Sequence, residues 1–155
     1  MHAITIREHV TSDRPFVRQM LEAAALATYA DLAGLGRISL RERVDEIFDQ
    51  HYAHPRKKIW IATDLEGQAL GLVWMQPTIH PVTEVPDYLV LNLAVKPASR
   101  KQGIGRKLME HARAYALSRG VKRLRLFVAA DNAPAQTLYA DLGFAERTRE
   151  MVWIF

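Results

Sequence analysis

Apolar residues alternate from Ala3 to Val10, with Ile4 and Ile6 on one face, the pattern of a first or edge strand. Thr11-Ser12-Asp13-Arg14-Pro15 then offers cap residues followed by a proline suited to a first helical turn. Val17, Leu21, Ala24, Ala25 and Tyr29 recur near helical spacing and carry this helix to about Ala33, where Gly34-Leu35-Gly36 stops it. Ser39-Leu40-Arg41-Glu42 is a capping box, so a second helix is expected to about Gln50, burying Leu40, Val44, Ile47 and Phe48. His51 to Lys57 reads as a polar loop.

Two short strands, Lys58 to Thr63 and Ala69 to Gln76, flank the hairpin signal Asp64-Leu65-Glu66-Gly67-Gln68. The proline-bearing stretch Thr78 to Pro86 reads as a loop. Tyr88 to Val95 is nearly all apolar and short, as expected of a strand buried on both faces. After Lys96-Pro97-Ala98-Ser99, a helix is expected from Gly103 to Arg119, with Ile104, Leu108, Met109, Ala112, Tyr115 and Ala116 in one stripe. Gly120 stands where that helix should end. Leu124 to Ala129 reads as a strand, Asn132 as the cap of a helix from Ala133 to Leu142, and Glu146 to Phe155 as a closing strand or hairpin. The order β-α-α-β-β-β-α-β-α-β makes one mixed α/β domain over residues 1–155, with helices packed on a sheet.

Composition adds exclusions. About half of the 155 residues are apolar and a quarter charged, the profile of an ordinary soluble domain. No apolar run approaches the roughly 20 residues of a membrane span, so no membrane partner is expected. The N-terminus lacks a secretory pattern. Cysteine is absent, which removes disulfides, thiolate metal sites and cysteine nucleophiles and fits a cytoplasmic location.

Charge is uneven. Residues 96–125 carry ten Lys and Arg against Glu110 alone, leaving the remainder of the chain net negative. Such a stripe can be a solvated face, a nucleic-acid surface, or a seat for a multiply phosphorylated small molecule. Within it, Arg100-Lys101-Gln102-Gly103-Ile104-Gly105 follows a buried strand and opens a helix. Helix first turns leave N–H groups unpaired and carry partial positive charge, and Gly103 and Gly105 would let a phosphate approach them. Arg100, Lys101 and Arg106 add charge at the same point. No G-K-[ST] follows Gly105, so this is not the P-loop of nucleotide hydrolases. Leu108 stands where the dinucleotide fingerprint needs its third glycine.

Leu93-Ala94-Val95-Lys96-Pro97 followed by Arg100-x-x-Gly103-x-Gly105-x-x-Leu108 resembles the acyl-CoA motif of the GCN5-related N-acetyltransferases. Asn132-Ala133-Pro134-Ala135-Gln136-Thr137-Leu138-Tyr139-Ala140-Asp141-Leu142-Gly143-Phe144 is similar to that family's second motif. The resemblance implies the acyl-CoA N-acyltransferase fold, a mixed sheet of six to seven strands with about four helices. It also implies acetyl-CoA as cosubstrate without a metal, and direct transfer to a primary amine in a ternary complex. By the same resemblance, N–H groups from Gln102 to Arg106, Ile104 included, hold the pyrophosphate. Leu93, Ala94 and Val95 line the pantetheine arm, with a main-chain N–H near Leu93 polarising the thioester carbonyl. Asn132 contacts pantetheine or simply caps its helix; Tyr139 is the acid that protonates the thiolate, or a core aromatic.

Leu89 stands where many relatives carry a basic glutamate. Asp87, Glu84 and His80 lie just upstream, and Asp87 is taken as the candidate base, working through water. Asn92 could orient a water. His51 and His54, without a third ligand, read as solvated loop rather than metal site. Trp60, Trp74 and Trp153 are expected to pack on the sheet, and the apolar C-terminus could contribute to a homodimer. Asp31, Glu42, Asp45, Glu46 and Asp49 are surface acids or the lining for a cationic acceptor; a peptide or small-molecule amine fits equally. The basic stripe is assigned to the cofactor's phosphates rather than to nucleic acid. The competing reading is a non-catalytic acyl-CoA-binding module.

Overall fold

The computed structural model describes residues 3–30, 36, 38–153 and 155. Its elements are β1 (Thr5–Glu8), α1 (Arg14–Tyr29), α2 (Leu40–Tyr52), β2 (Lys58–Thr63), β3 (Ala69–Ile79), β4 (Pro86–Val95), α3 (Ile104–Ser118), β5 (Leu124–Arg125) and α4 (Ala133–Asp141). The strands lie in the order β1-β2-β3-β4-β5. The first four are antiparallel neighbours, and β5 alone runs parallel to β4.

Each face of the sheet has its own core. On one face α1 and α2 cover Ile59, Ile61, Leu72 and Trp74 with Val17, Met20 and Phe48. On the other, α3 presses Ile104, Leu108, Met109, Ala112 and Ala116 onto Trp60, Ala62, Val73, Met75, Tyr88 and Val90. The central strands are apolar on successive positions because both of their faces are covered, whereas β1 at the edge has no fully buried residue. Ser39 and Glu42 form the expected capping box on α2, worth about 1 kcal/mol.

Several expectations are corrected. The sheet has five strands rather than six or seven among the described residues. Among the described residues Glu146 to Trp153 make no strand pairing, and Trp153 is 85% exposed instead of packing on the sheet as Trp60 and Trp74 do. An apolar, β-prone sequence becomes a strand only where an edge receives it, and β5 pairs for two residues where six were expected. Helix α2 continues through His51 and Tyr52, because the aromatic ring of Tyr52 stacks on Phe48 one turn back. The proposed stop at Gly34 and Leu35, and Asp31, lie outside the described residues.

Candidate functional site

Strands β4 and β5 are paired only at Tyr88–Leu124 and Leu89–Arg125, and beyond that they part. A bulge helps to part them. Trp74 of β3 faces Asn92 and Met75 faces Val90, so Leu91 is an extra residue on β4. Past the bulge, Lys96 donates its N–H to Leu70 O at 2.8 Å. Strand alternation then turns the peptide groups of Leu93 and Val95 away from β3, to the open side. Those groups form a free strand edge. The Val95 carbonyl already accepts a bond from Arg100 Nε at 3.2 Å.

The glycine-bearing turn stands at the end of this edge. Arg100 N–H bonds to Pro97 O and Lys107 N–H to Gly103 O, but no backbone bond is made by the N–H groups from Lys101 to Arg106 among the described residues. Gly103 caps α3 at φ 75°, and Lys101 has φ 61°, so left-handed backbone curls the free N–H groups into a cradle. Gly103 is there for its φ, since a Cβ on it would meet nothing within 4 Å. Gly105 has a different reason. A Cβ there would come within 3.2 Å of Leu138 Cδ2, so its absence lets α4 settle against the start of α3. Arg106 reaches Asp141 of α4 at 3.5 Å across the same junction.

Helix α4 packs on the start of α3 through Leu138, while Leu142 and Phe144 join the α3-side core, and Asn132 and Tyr139 are carried on that side of the sheet. Asn132 Oδ1 accepts from Ala135 N at 3.2 Å, the capping role, which leaves its amide NH₂ to donate elsewhere. Tyr139 is half-buried beside Phe144, and burial raises its hydroxyl above the ordinary tyrosine value. A phenol in that state keeps its proton at neutral pH, as a general acid must.

The opposite face of the opening holds Asp87 and Arg125. Asp87 is 1% exposed, and its Oδ2 accepts from Arg125 Nε at 3.0 Å while Oδ1 has no partner. The carboxylate expected as a base is therefore closed off from solvent. Glu84, at φ 56°, and His80 belong to the turn before β4, where the His80 ring accepts the N–H groups of Val82 and Thr83. Asn92 is buried opposite Trp74, and Asn92 Nδ2 and Trp74 Nε1 are both buried donors without a partner. His51, expected to be solvated, is half-buried and bonds through Nδ1 to Gln76 Oε1 at 3.2 Å. Nothing in the sequence signalled the links from Arg125 to Asp87 or from Gln76 to His51, because the partners lie 38 and 25 residues apart. No group of three or more metal-ligating side chains occurs among the described residues.

Residues 19–144 match the Acetyltransferase (GNAT) family. The chain belongs to that family. It is 39% identical over 85 residues to the mycothiol acetyltransferase of Jonesia denitrificans, a stretch covering 55% of this chain and 26% of the relative. It is 48% identical over 59 residues to the [ribosomal protein bS18]-alanine N-acetyltransferase of Escherichia coli K12, covering 38% of this chain and 40% of that protein. The chain thus spans less than half the length of these curated relatives. A GCN5-related N-acetyltransferase from Ralstonia eutropha JMP134 shares the fold at a TM-score of 0.74 and 24% identity, covering 98% of this chain and 99% of the other. This GNAT chain therefore has the fold that its motifs implied, with five strands among the described residues.

Proposed function

We propose that this protein is an acetyl-CoA-dependent N-acetyltransferase acting on a primary amine. The observation that carries this reading is the opening between β4 and β5, with free peptide groups at Leu93 and Val95 leading to the unpaired N–H groups from Lys101 to Arg106. A long thiol ester with a pyrophosphate at its far end fits that sequence of donors. Pantetheine would add to β4 as a strand does, through the backbone groups of Leu93 and Val95 and past Ala94. The pyrophosphate would take the N–H groups of Gln102, Gly103, Ile104, Gly105 and Arg106, with the Arg100 and Lys101 side chains beside it.

Transfer proceeds by attack of the amine nitrogen on the thioester carbonyl carbon. The Leu93 N–H, fixed in the strand and free of a partner there, stabilises the charge that develops on the carbonyl oxygen. The carbon–sulfur bond breaks with its electron pair on sulfur, and the Tyr139 hydroxyl supplies the proton. Asn132 steers the arm with its amide NH₂. Asp87 keeps its place at the opening by holding Arg125.

The relatives' names, mycothiol acetyltransferase and [ribosomal protein bS18]-alanine N-acetyltransferase, refer to a small molecule and to a protein, so the acceptor is proposed only as a primary amine. The test is thiol release from acetyl-CoA with a panel of amines that includes an alanine-initiated peptide and neamine. Turnover with at least one amine is the expected result. Tight CoA binding with no turnover on any amine would establish the binding-module reading instead.

A further inference from the structure

The opening between β4 and β5 joins the two faces of the sheet, and Tyr139 serves it from the α3 face. A proton acceptor for the incoming amine belongs on the other face. We infer that His51 is the general base of the reaction, held in its working tautomer by Gln76; this rests on the transferase reading above.

Placement supports this. Trp74, Gln76 and Thr78 share the α1/α2 face of β3, since side chains alternate along a strand. Their partners across β4 are Asn92, Leu89 and Asp87. Gln76 and its partner Leu89 sit two residues before the bulged Leu91, at the last position where β4 is still paired to β5. His51 lies in the last turn of α2 and is tied to that spot by its 3.2 Å bond to Gln76.

Chemistry narrows the choice further. The Gln76 carbonyl oxygen can only accept, so Nδ1 of His51 carries the proton and Nε2 presents a lone pair. The neighbouring polar groups offer none. Trp74 Nε1 and Asn92 Nδ2 are donors. Tyr52 is raised above the ordinary tyrosine value, chiefly by burial, and stays a phenol. Thr78 hydrogen-bonds the carbonyl of Ile79, and Asp87 is sealed behind Arg125. The other charged or titratable groups on this side are already engaged: Asp49 bonds Arg14, Asp45 and Glu22 bond Arg18, Glu46 bonds Arg43, Lys57 lies over the Tyr52 ring, His9 packs edge-on to Tyr52 with its value lowered by burial, and the His54 ring accepts the Arg56 N–H.

In the step, Nε2 takes one proton from the acceptor's ammonium and becomes an imidazolium. The freed nitrogen lone pair forms the bond to the carbonyl carbon, sulfur leaves with its pair, and Tyr139 protonates it. The amide nitrogen then loses its second proton to solvent, solvent returns one to Tyr139, and the His51 imidazolium releases its proton to solvent to restore the base.

The experiment compares wild type, His51→Gln, His51→Ala, Gln76→Ala, Gln76→Glu and Asp87→Asn with the best amine of the panel, across pH, alongside the Kd for CoA. His51→Gln is expected to lower kcat/KM for the amine about 100-fold at pH 7, with CoA affinity unchanged. The deficit should shrink at high pH, where the amine deprotonates unaided, and imidazole should partly rescue His51→Ala. Gln76→Ala should lower kcat several-fold, and Gln76→Glu, which also accepts from Nδ1, should restore it. Activity of His51→Gln within threefold of wild type overturns the proposal while leaving the transferase reading intact. So does a deficit at low pH that appears in Asp87→Asn and not in His51→Gln, or a loss accompanied by weaker CoA binding. If wild type turns over no amine at all, the transferase reading falls and this proposal with it.

Discussion

Arg125 of β5 donates from Nε to Oδ2 of Asp87 on β4 at 3.0 Å, next to the last paired residues of two strands that then separate. The pair lies at the end where β4 and β5 are still joined. Asp87 is buried, while a quarter of the Arg125 side chain reaches solvent. Removing the aspartate thus strands a cation that can partly rehydrate, whereas removing the arginine strands a buried carboxylate.

Arg125→Met is therefore expected to destabilise more than Asp87→Asn. Losses of about 3 and about 1–2 kcal/mol respectively follow from the two burials. Thermal unfolding of both variants checks the order, and the reverse order would show that the latch is not the seat of the effect.

Gly103 at φ 75° should resist substitution although its surroundings are open. Gly103→Ala forces an alanine into left-handed backbone at a cost of about 1 kcal/mol, and it tilts the N–H groups that follow. Calorimetric titration with CoA should show affinity at least tenfold weaker, with Tm reduced by a few degrees.

Tyr139→Phe removes a hydroxyl and little volume. kcat should fall more than tenfold while the Kd for CoA scarcely changes, the pattern of a group used in the transition state. Burial keeps the wild-type phenol protonated beyond the ordinary tyrosine value, so any alkaline loss of kcat due to this residue begins above about pH 10. An unchanged kcat removes Tyr139 from the mechanism.

Asp13 governs part of the acid stability. Arg7 bonds it through both guanidinium nitrogens at 2.7 and 2.9 Å, and the Val10 N–H adds a third bond. The Arg7 hydrogen bond is the main cause that holds its carboxyl below the ordinary value. A depressed folded value means the stabilisation is fully present above about pH 4 and is lost as pH falls through the folded value. Asp13→Asn should therefore be less stable than wild type at pH 6, and the two melting temperatures should converge once the pH falls below the lowered folded value.

Much of the site was legible because its signals are local. A glycine pair at the start of a helix, an asparagine cap and a tyrosine two turns on are set by backbone conformation within a few residues, and each element formed close to its expected bounds. The same locality made the capping box of α2 readable. Leu91 as a bulge, the parting of β4 from β5, and the sealing of Asp87 depend on register between strands far apart in the chain, which no local pattern specifies. His51 shows the limit most clearly. Its residue type and neighbours suggest a solvated loop, yet the packing of Tyr52 on Phe48 extends α2 and sets the ring against Gln76.

The sequence by itself determined the family, and it marked a glycine-bearing turn and a tyrosine as candidates for a phosphate seat and an acid, because these rest on residue types at short spacings. Tertiary structure alone decided which side chains meet across the opening, how many strands the sheet holds, and that Met151 to Trp153 stays exposed. Those outcomes turn on pairing and packing between distant segments, whose free energy depends on what each surface finds opposite it.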